Sequence, residues 1–142
     1  MTQPRWRSLA ALVVALLAGI SRTGAQALPQ VADSARAFWL RHDAPSLVGT
    51  GGRVVVQLPG RDLTAPLGRR QAVALLHDYL TACEELEVVI RAARLVDEGA
   101  GYVELARRYR LQGGQGERAE AVLLSYRRGS DGWELVEVRI AR

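Results

Sequence analysis

Arg107 raises the first chemical question. In the run Val103-Glu104-Leu105-Ala106-Arg107-Arg108-Tyr109, alternate residues of an extended chain face opposite sides, so Arg107 shares a face with Val103, Leu105, Tyr109 and Leu111. A guanidinium on a mainly apolar face must find an acid, a carbonyl or a ligand anion, because burying it unpaired is costly. Two placements meet that need. Arg107 can anchor an acidic ligand in a pocket, or it can sit at the rim of a sheet with its head in water and its stem over apolar surface. Tyr79 and Tyr109 are weaker candidates of the same kind, since a buried tyrosine packs its ring and offers one hydroxyl. Trp39, on a helical stripe with Val31, Ala35 and Phe38, completes a candidate ligand pocket of Arg107, Tyr109, Tyr79 and Trp39.

Other arrangements that could do chemistry are explained by local structure. The pairs His42-Asp43 and His77-Asp78 contain the chain's two histidines. Neighbours on a helix point about 100 degrees apart, so neither pair can close on one ion and no metal is expected. Gly49-Thr50-Gly51-Gly52 precedes a strand rather than joining a strand to a helix, which makes it a turn and not a phosphate cradle. No serine elbow or paired-cysteine motif is present, and no cofactor is expected. The single cysteine, Cys83, ends an apolar helical pattern with no histidine beside it, the setting of a buried, inert thiol. The acids Asp33, Asp43, Asp62, Asp97, Glu98 and Asp131 fall at helix starts, loops or turns, where capping accounts for them. The inner-parity positions of the Arg107 strand hold no acid, which counts against an acid–base enzyme.

The elements that would position these residues can be read from periodicity. Apolar residues at helical spacing predict a helix over 31–42, with Pro45 marking an early end or a break. A turn and a short strand, "RVVVQL", follow. A second helix is expected from near Pro66, its Ala72, Leu75, Leu76, Tyr79, Leu80 and Cys83 forming one stripe. Four extended segments, 86–96, 102–111, 118–127 and 133–140, are linked by "DEGAG", "QGGQG" and "GSDG", each short enough for a hairpin. Early helices, late strands and no βαβ alternation make this an α+β chain, with two helices covering one face of a curved antiparallel meander of four long strands plus one short strand. In the third long strand the inward set is either Ala119, Ala121 and Leu123 or Val122, Leu124 and Tyr126. In the last strand Val136, Val138 and Ile140 share a side with Glu134. Both sheet faces are partly apolar, so a second buried surface such as a homodimer interface is expected.

Residues 8 to 27, "SLAALVVALLAGISRTGAQA", read as an address label. The apolar core from Leu9 to Ile20 is short against the roughly 20 residues of a membrane span. Arg5 and Arg7 precede it and Ala25-Gln26-Ala27 follows, the layout of a secretory signal peptide cut after Ala27. The expected organisation is a signal peptide at 1–27 and one domain at 28–142, secreted or periplasmic, with no stable membrane anchor after the cut. The whole chain carries a net charge of +4 with 19 basic residues, all arginine, against 15 acids. Removing Arg5, Arg7 and Arg22, and no acid, leaves 16 against 15, so the charge argument for a nucleic-acid partner disappears.

The order helix, short strand, helix, long-strand meander, closed by the tail "GWELVEVRIAR", resembles the nuclear transport factor 2-like superfamily of cone-shaped α+β domains, which includes the ketosteroid isomerases. The likeness is greatest to its small exported bacterial domains. It implies a pocket between the helices and the concave sheet face, and often a dimer through the outer face. It selects no reaction, because that superfamily holds isomerases, dehydratases, ligand binders and accessory domains. The expectation is a noncatalytic domain that binds a small apolar or weakly acidic molecule, or a dimeric accessory module. The alternatives are an isomerase- or dehydratase-type enzyme using Tyr79, Tyr109 and Arg107, and a structural homodimer with a filled interior. The interior decides among them: filled, empty and apolar, or empty with a buried carboxylate.

Overall fold

The computed structural model describes residues 26–142, so the signal segment lies outside the described residues except for Gln26 and Ala27. Three helices, α1 (Leu28–Leu40), α2 (Ala44–Val48) and α3 (Arg69–Thr81), accompany five strands, β1 (Val55–Gln57), β2 (Cys83–Asp97), β3 (Ala100–Leu111), β4 (Arg118–Gly129) and β5 (Gly132–Ala141). The strands form one open sheet in the order β1-β5-β4-β3-β2. The four long strands make the expected antiparallel meander. The short strand joins in parallel beside the last one, Val56 opposite Val138. The helices lie over one face. Among the described residues, no helix is long and apolar enough to cross a membrane.

Local chemistry explains the helix limits. In α1, Leu28, Val31, Ala32, Ala35 and Trp39 are buried on one stripe, and Pro29 sits in the first turn, where no amide partner is lost. Helix α1 stops where His42 takes a positive φ of 56° and the Asp43 amide donates to the Phe38 carbonyl at 2.8 Å. Pro45 does not merely end that helix. It opens the short α2, whose first turn is capped by Asp43 Oδ1 accepting from the Ser46 amide at 3.1 Å. Helix α3 begins three residues later than Pro66 suggests, because Leu67 is held in a bridge with Val54 and the Gly68 amide donates to Gln71 Oε1 at 3.2 Å. Cys83 is buried as expected, but it opens β2 rather than closing the helix.

The core lies between the helix stripe and the inward side of the sheet, with Trp39, Leu76, Leu80, Val103, Leu105, Val122, Leu124 and Val138 all buried. Of the two parities open for β4, the one containing Val122, Leu124 and Tyr126 faces inward. The single-face reading of the last strand is corrected. An irregularity opposite Ser125/Tyr126 shifts the register, so Leu135 is buried with Val138 and Ile140, while Glu134 pairs with Arg127 of the outer side. Strand β2 is an edge, interrupted by three bulges and met by Arg36, whose Nε donates to the Val88 carbonyl at 2.6 Å. Bulges and a side chain laid on the edge both discourage pairing with another chain.

Candidate functional site

Residues from five elements meet at one end of the inner face. Register does most of the positioning. Arg107 lies directly opposite Glu120 of β4, and Tyr109 opposite Glu85 of β2. Strand alternation would put Glu85 and Val88 on opposite sides. The bulge between Glu85 and Glu87 inserts Leu86 and brings both inward. Helices α1 and α3 deliver Trp39 and Tyr79 from above.

Arg107 is 1% exposed and its guanidinium is fully engaged. Nε donates to Glu85 Oε2 at 3.1 Å, Nη2 donates to Glu85 Oε1, and Nη1 donates to the Tyr79 hydroxyl at 3.1 Å. The Tyr79 hydroxyl in turn donates to Glu120 Oε2 at 2.6 Å, and the Tyr109 hydroxyl donates to Glu120 Oε1. The Arg107 carbon Cζ stands 3.8 Å from the Tyr109 ring centre, 5.3 Å from Trp39 and 5.4 Å from Tyr79. One cation therefore serves two buried carboxylates inside an aromatic box. Such a cluster tolerates burial only because nearly every polar atom has a partner. His42 adds a flank, its Nε2 3.8 Å from Glu85 Oε1.

The electrostatics follow from that burial. Desolvation, reinforced by the bond to Glu120, pushes the Tyr79 phenol well above its ordinary value, and burial does the same for Tyr109, so both remain protonated donors. Burial raises the Glu85 carboxyl against the pull of Arg107, and it alone would lower Arg107, but the Glu85 charge reverses that and keeps the guanidinium charged. Burial also raises the Cys83 thiol, which makes it a poor nucleophile. Burial first, then the Arg107 charge, lowers His42.

The four candidates named from the sequence thus converge, but in two layers. Tyr79 and Tyr109 reach the floor of a cleft of about 420 Å³ at the mouth of the cone, while Arg107 and Trp39 lie beneath it. The rim placement of Arg107 is overturned, because Glu85 supplies the partner that makes full burial possible. Glu120, Cys83, Leu58, Leu75 and Leu111 complete the floor and walls, and Arg61, Arg118 and Arg142 stand at the rim. None of these three arginines forms an ion pair among the described residues. The inward positions of the Arg107 strand hold no acid, and the two buried acids come from the strands on either side of it. Glu120 lies two residues before Val122 on the inward parity, a signal available to strand alternation, whereas Glu85 depends on a bulge that alternation cannot show.

No family model and no curated protein matches the chain. Solved structures do. A ketosteroid isomerase-like protein from Erwinia carotovora atroseptica superposes with a TM-score of 0.64 at 16% identity, over 80% of this chain and 91% of that one. A DUF4783 family protein from Bacteroides uniformis gives 0.63 at 11% identity, over 78% and 94%. A nuclear transport factor 2-like protein of unknown function from Shewanella oneidensis gives 0.57 at 12% identity, over 80% and 95%. At these identities the likeness is one of fold, and the fold is the nuclear transport factor 2-like cone.

Proposed function

We propose that this cone is a noncatalytic binding module whose mouth takes a small molecule with an apolar body and an acidic group. The observation that carries the reading is the 420 Å³ cleft itself, floored by Tyr79, Tyr109 and apolar side chains and rimmed by Arg61, Arg118 and Arg142. Arg118 stands opposite Tyr109 and on the same parity as Glu120, so its free fork overlooks the floor. Arg107 acts in this reading as the support that holds both tyrosines in place. The acidic group belongs to the rim, because the floor already contains Glu120 and Asp78 lies in the wall.

Export and pairing belong to the same proposal. Supporting export, α1 begins at Leu28, so a cut after Ala27 leaves every helix and strand whole. Supporting a homodimer, the outer sheet face holds a shallow hollow of about 570 Å³ whose lining includes Ala106, Ala119 and Ala121, with Glu87, Arg91, Glu104 and Arg108 of both signs around it. Native mass spectrometry of the chain purified from its own host tests all three parts. The expected spectrum is a dimer of chains starting at Leu28 with a retained acidic molecule, which Arg118→Glu releases. A chain that carries no small molecule, or one whose molecule survives Arg118→Glu, would overturn the binding reading.

One observation favours a second reading, an isomerase- or dehydratase-type enzyme: Glu120, a buried carboxylate between two tyrosine hydroxyls, lines the cleft. Against it, both hydroxyls already spend their protons on Glu120. In the binding reading Glu120→Gln leaves a retained molecule chemically unchanged, whereas an enzyme variant of this kind would retain a substrate that the native chain converts.

A further inference from the structure

A second space, partly open to solvent, lies at the opposite end of the helix-covered face. It measures about 220 Å³ and is bounded by α1, α2, the loop at 49–51 and the start of β5. Glu120 under the mouth and Tyr126 in this space are six residues apart on β4, which is about 20 Å of strand, so the two spaces are distinct.

The walls combine Phe38, Tyr126, Trp133 and Leu47 with polar groups that include Ser34, Ser46 and Thr50. Tyr126 is the unusual member. It projects from the inward side of β4 and is 6% exposed, yet its hydroxyl forms no hydrogen bond among the described residues. Burial with no compensating partner also raises its phenol. A second wall group, the Trp133 indole Nε1, is buried with no hydrogen-bond partner among the described residues, a cost that a bound oxygen acceptor can relieve. Charge narrows the class. Among the described residues no arginine lines the space, and Asp131 does. Glu134 is a second acid in the lining, its carboxylate lying between Gly129, the wall residue Gly51 and, at 3.9 Å, Arg127 of the outer side. The arginines stacked on Phe38 and Trp133, Arg41 and Arg128, are not among the walls. Anions are therefore disfavoured.

We propose that this space is a second binding site, independent of the mouth, for a neutral single-ring aromatic molecule bearing one hydrogen-bonding oxygen that meets the Tyr126 hydroxyl. Ser34 offers a further partner. Its Oγ accepts from Gln26 Nε2 at 3.4 Å, and a chain cut after Ala27 would lack Gln26, although the site does not depend on that cut.

The test uses benzyl alcohol and benzoate as probes on the chain purified from its host, followed by the backbone amide and indole signals in heteronuclear NMR. Benzyl alcohol is expected to shift Leu47, Tyr126 and Trp133, and Tyr126→Phe to weaken that response about three- to tenfold with the fold unchanged by circular dichroism. Ala35→Leu fills the same space without removing a polar group, and it is expected to abolish the response. The proposal falls if benzyl alcohol leaves those signals unmoved, if benzoate moves them equally well, or if neither substitution matters. Benzoate is expected to shift Arg118 and Tyr109 instead. Loss of that shift alone counts against the mouth reading, while the benzyl alcohol response still supports this one.

Discussion

At the scale of single residues, the buried cluster is an unequal charge balance, one guanidinium against two carboxylates. Arg107→Met removes the only cation bonded to Glu85 and Glu120 among the described residues, and urea unfolding should show a loss of about 3–5 kcal/mol. Adding Glu85→Gln and Glu120→Gln should restore much of that stability, because the loss comes from stranded charge rather than missing volume. Failure of the triple variant to recover would mean that the aromatic packing around Arg107 matters more than its charge. How far such a cluster can be read from sequence differs residue by residue. The need of Arg107 for a partner is legible in its apolar neighbours. Glu120 was within reach of strand parity, one step beyond Val122. Glu85 was not, since a single inserted residue, Leu86, decides which way it points.

At the scale of elements, periodicity marks where strands and helices lie better than how closely they approach. The four long strands fall within a few residues of their expected limits, because alternation and Gly-rich links are strong local signals. The close contact of α1 with β3 leaves no such signal. A Cβ on Gly101 would lie 2.8 Å from Leu28 Cδ2 and 3.0 Å from the Arg94 carbonyl oxygen, so this glycine is required by proximity rather than by a turn. Gly101→Ala should cost about 1–3 kcal/mol in urea unfolding. Leu28→Ala in the same chain should cost less than it does alone, because the methyl group that clashes is gone. Additive losses would place the strain on the Arg94 carbonyl instead. The β5 irregularity belongs with these unread features, and it alone turns Glu134 away from the core side that Val138 occupies.

At the scale of the molecule, the two spaces share one sheet but differ in charge, with arginines around the mouth and an aspartate at the far end. Both need the whole sheet, and its order makes the last strand central: β5 lies between β1 and β4. A chain ending at residue 131 should therefore lose cooperative unfolding altogether, as judged by thermal circular dichroism, and not merely fray at one edge. A sigmoidal transition in that fragment would show that β2, β3 and β4 suffice with the helices. The parallel seat of β1 beside β5 also sets a clock. Synthesis proceeds from the N-terminus at roughly 5–20 residues per second, so about 80 residues made after β1 must be completed over several seconds before that strand has a partner. Throughout that interval the chain is long, apolar and unfinished, the state in which a chaperone can hold it or a translocation channel can thread it.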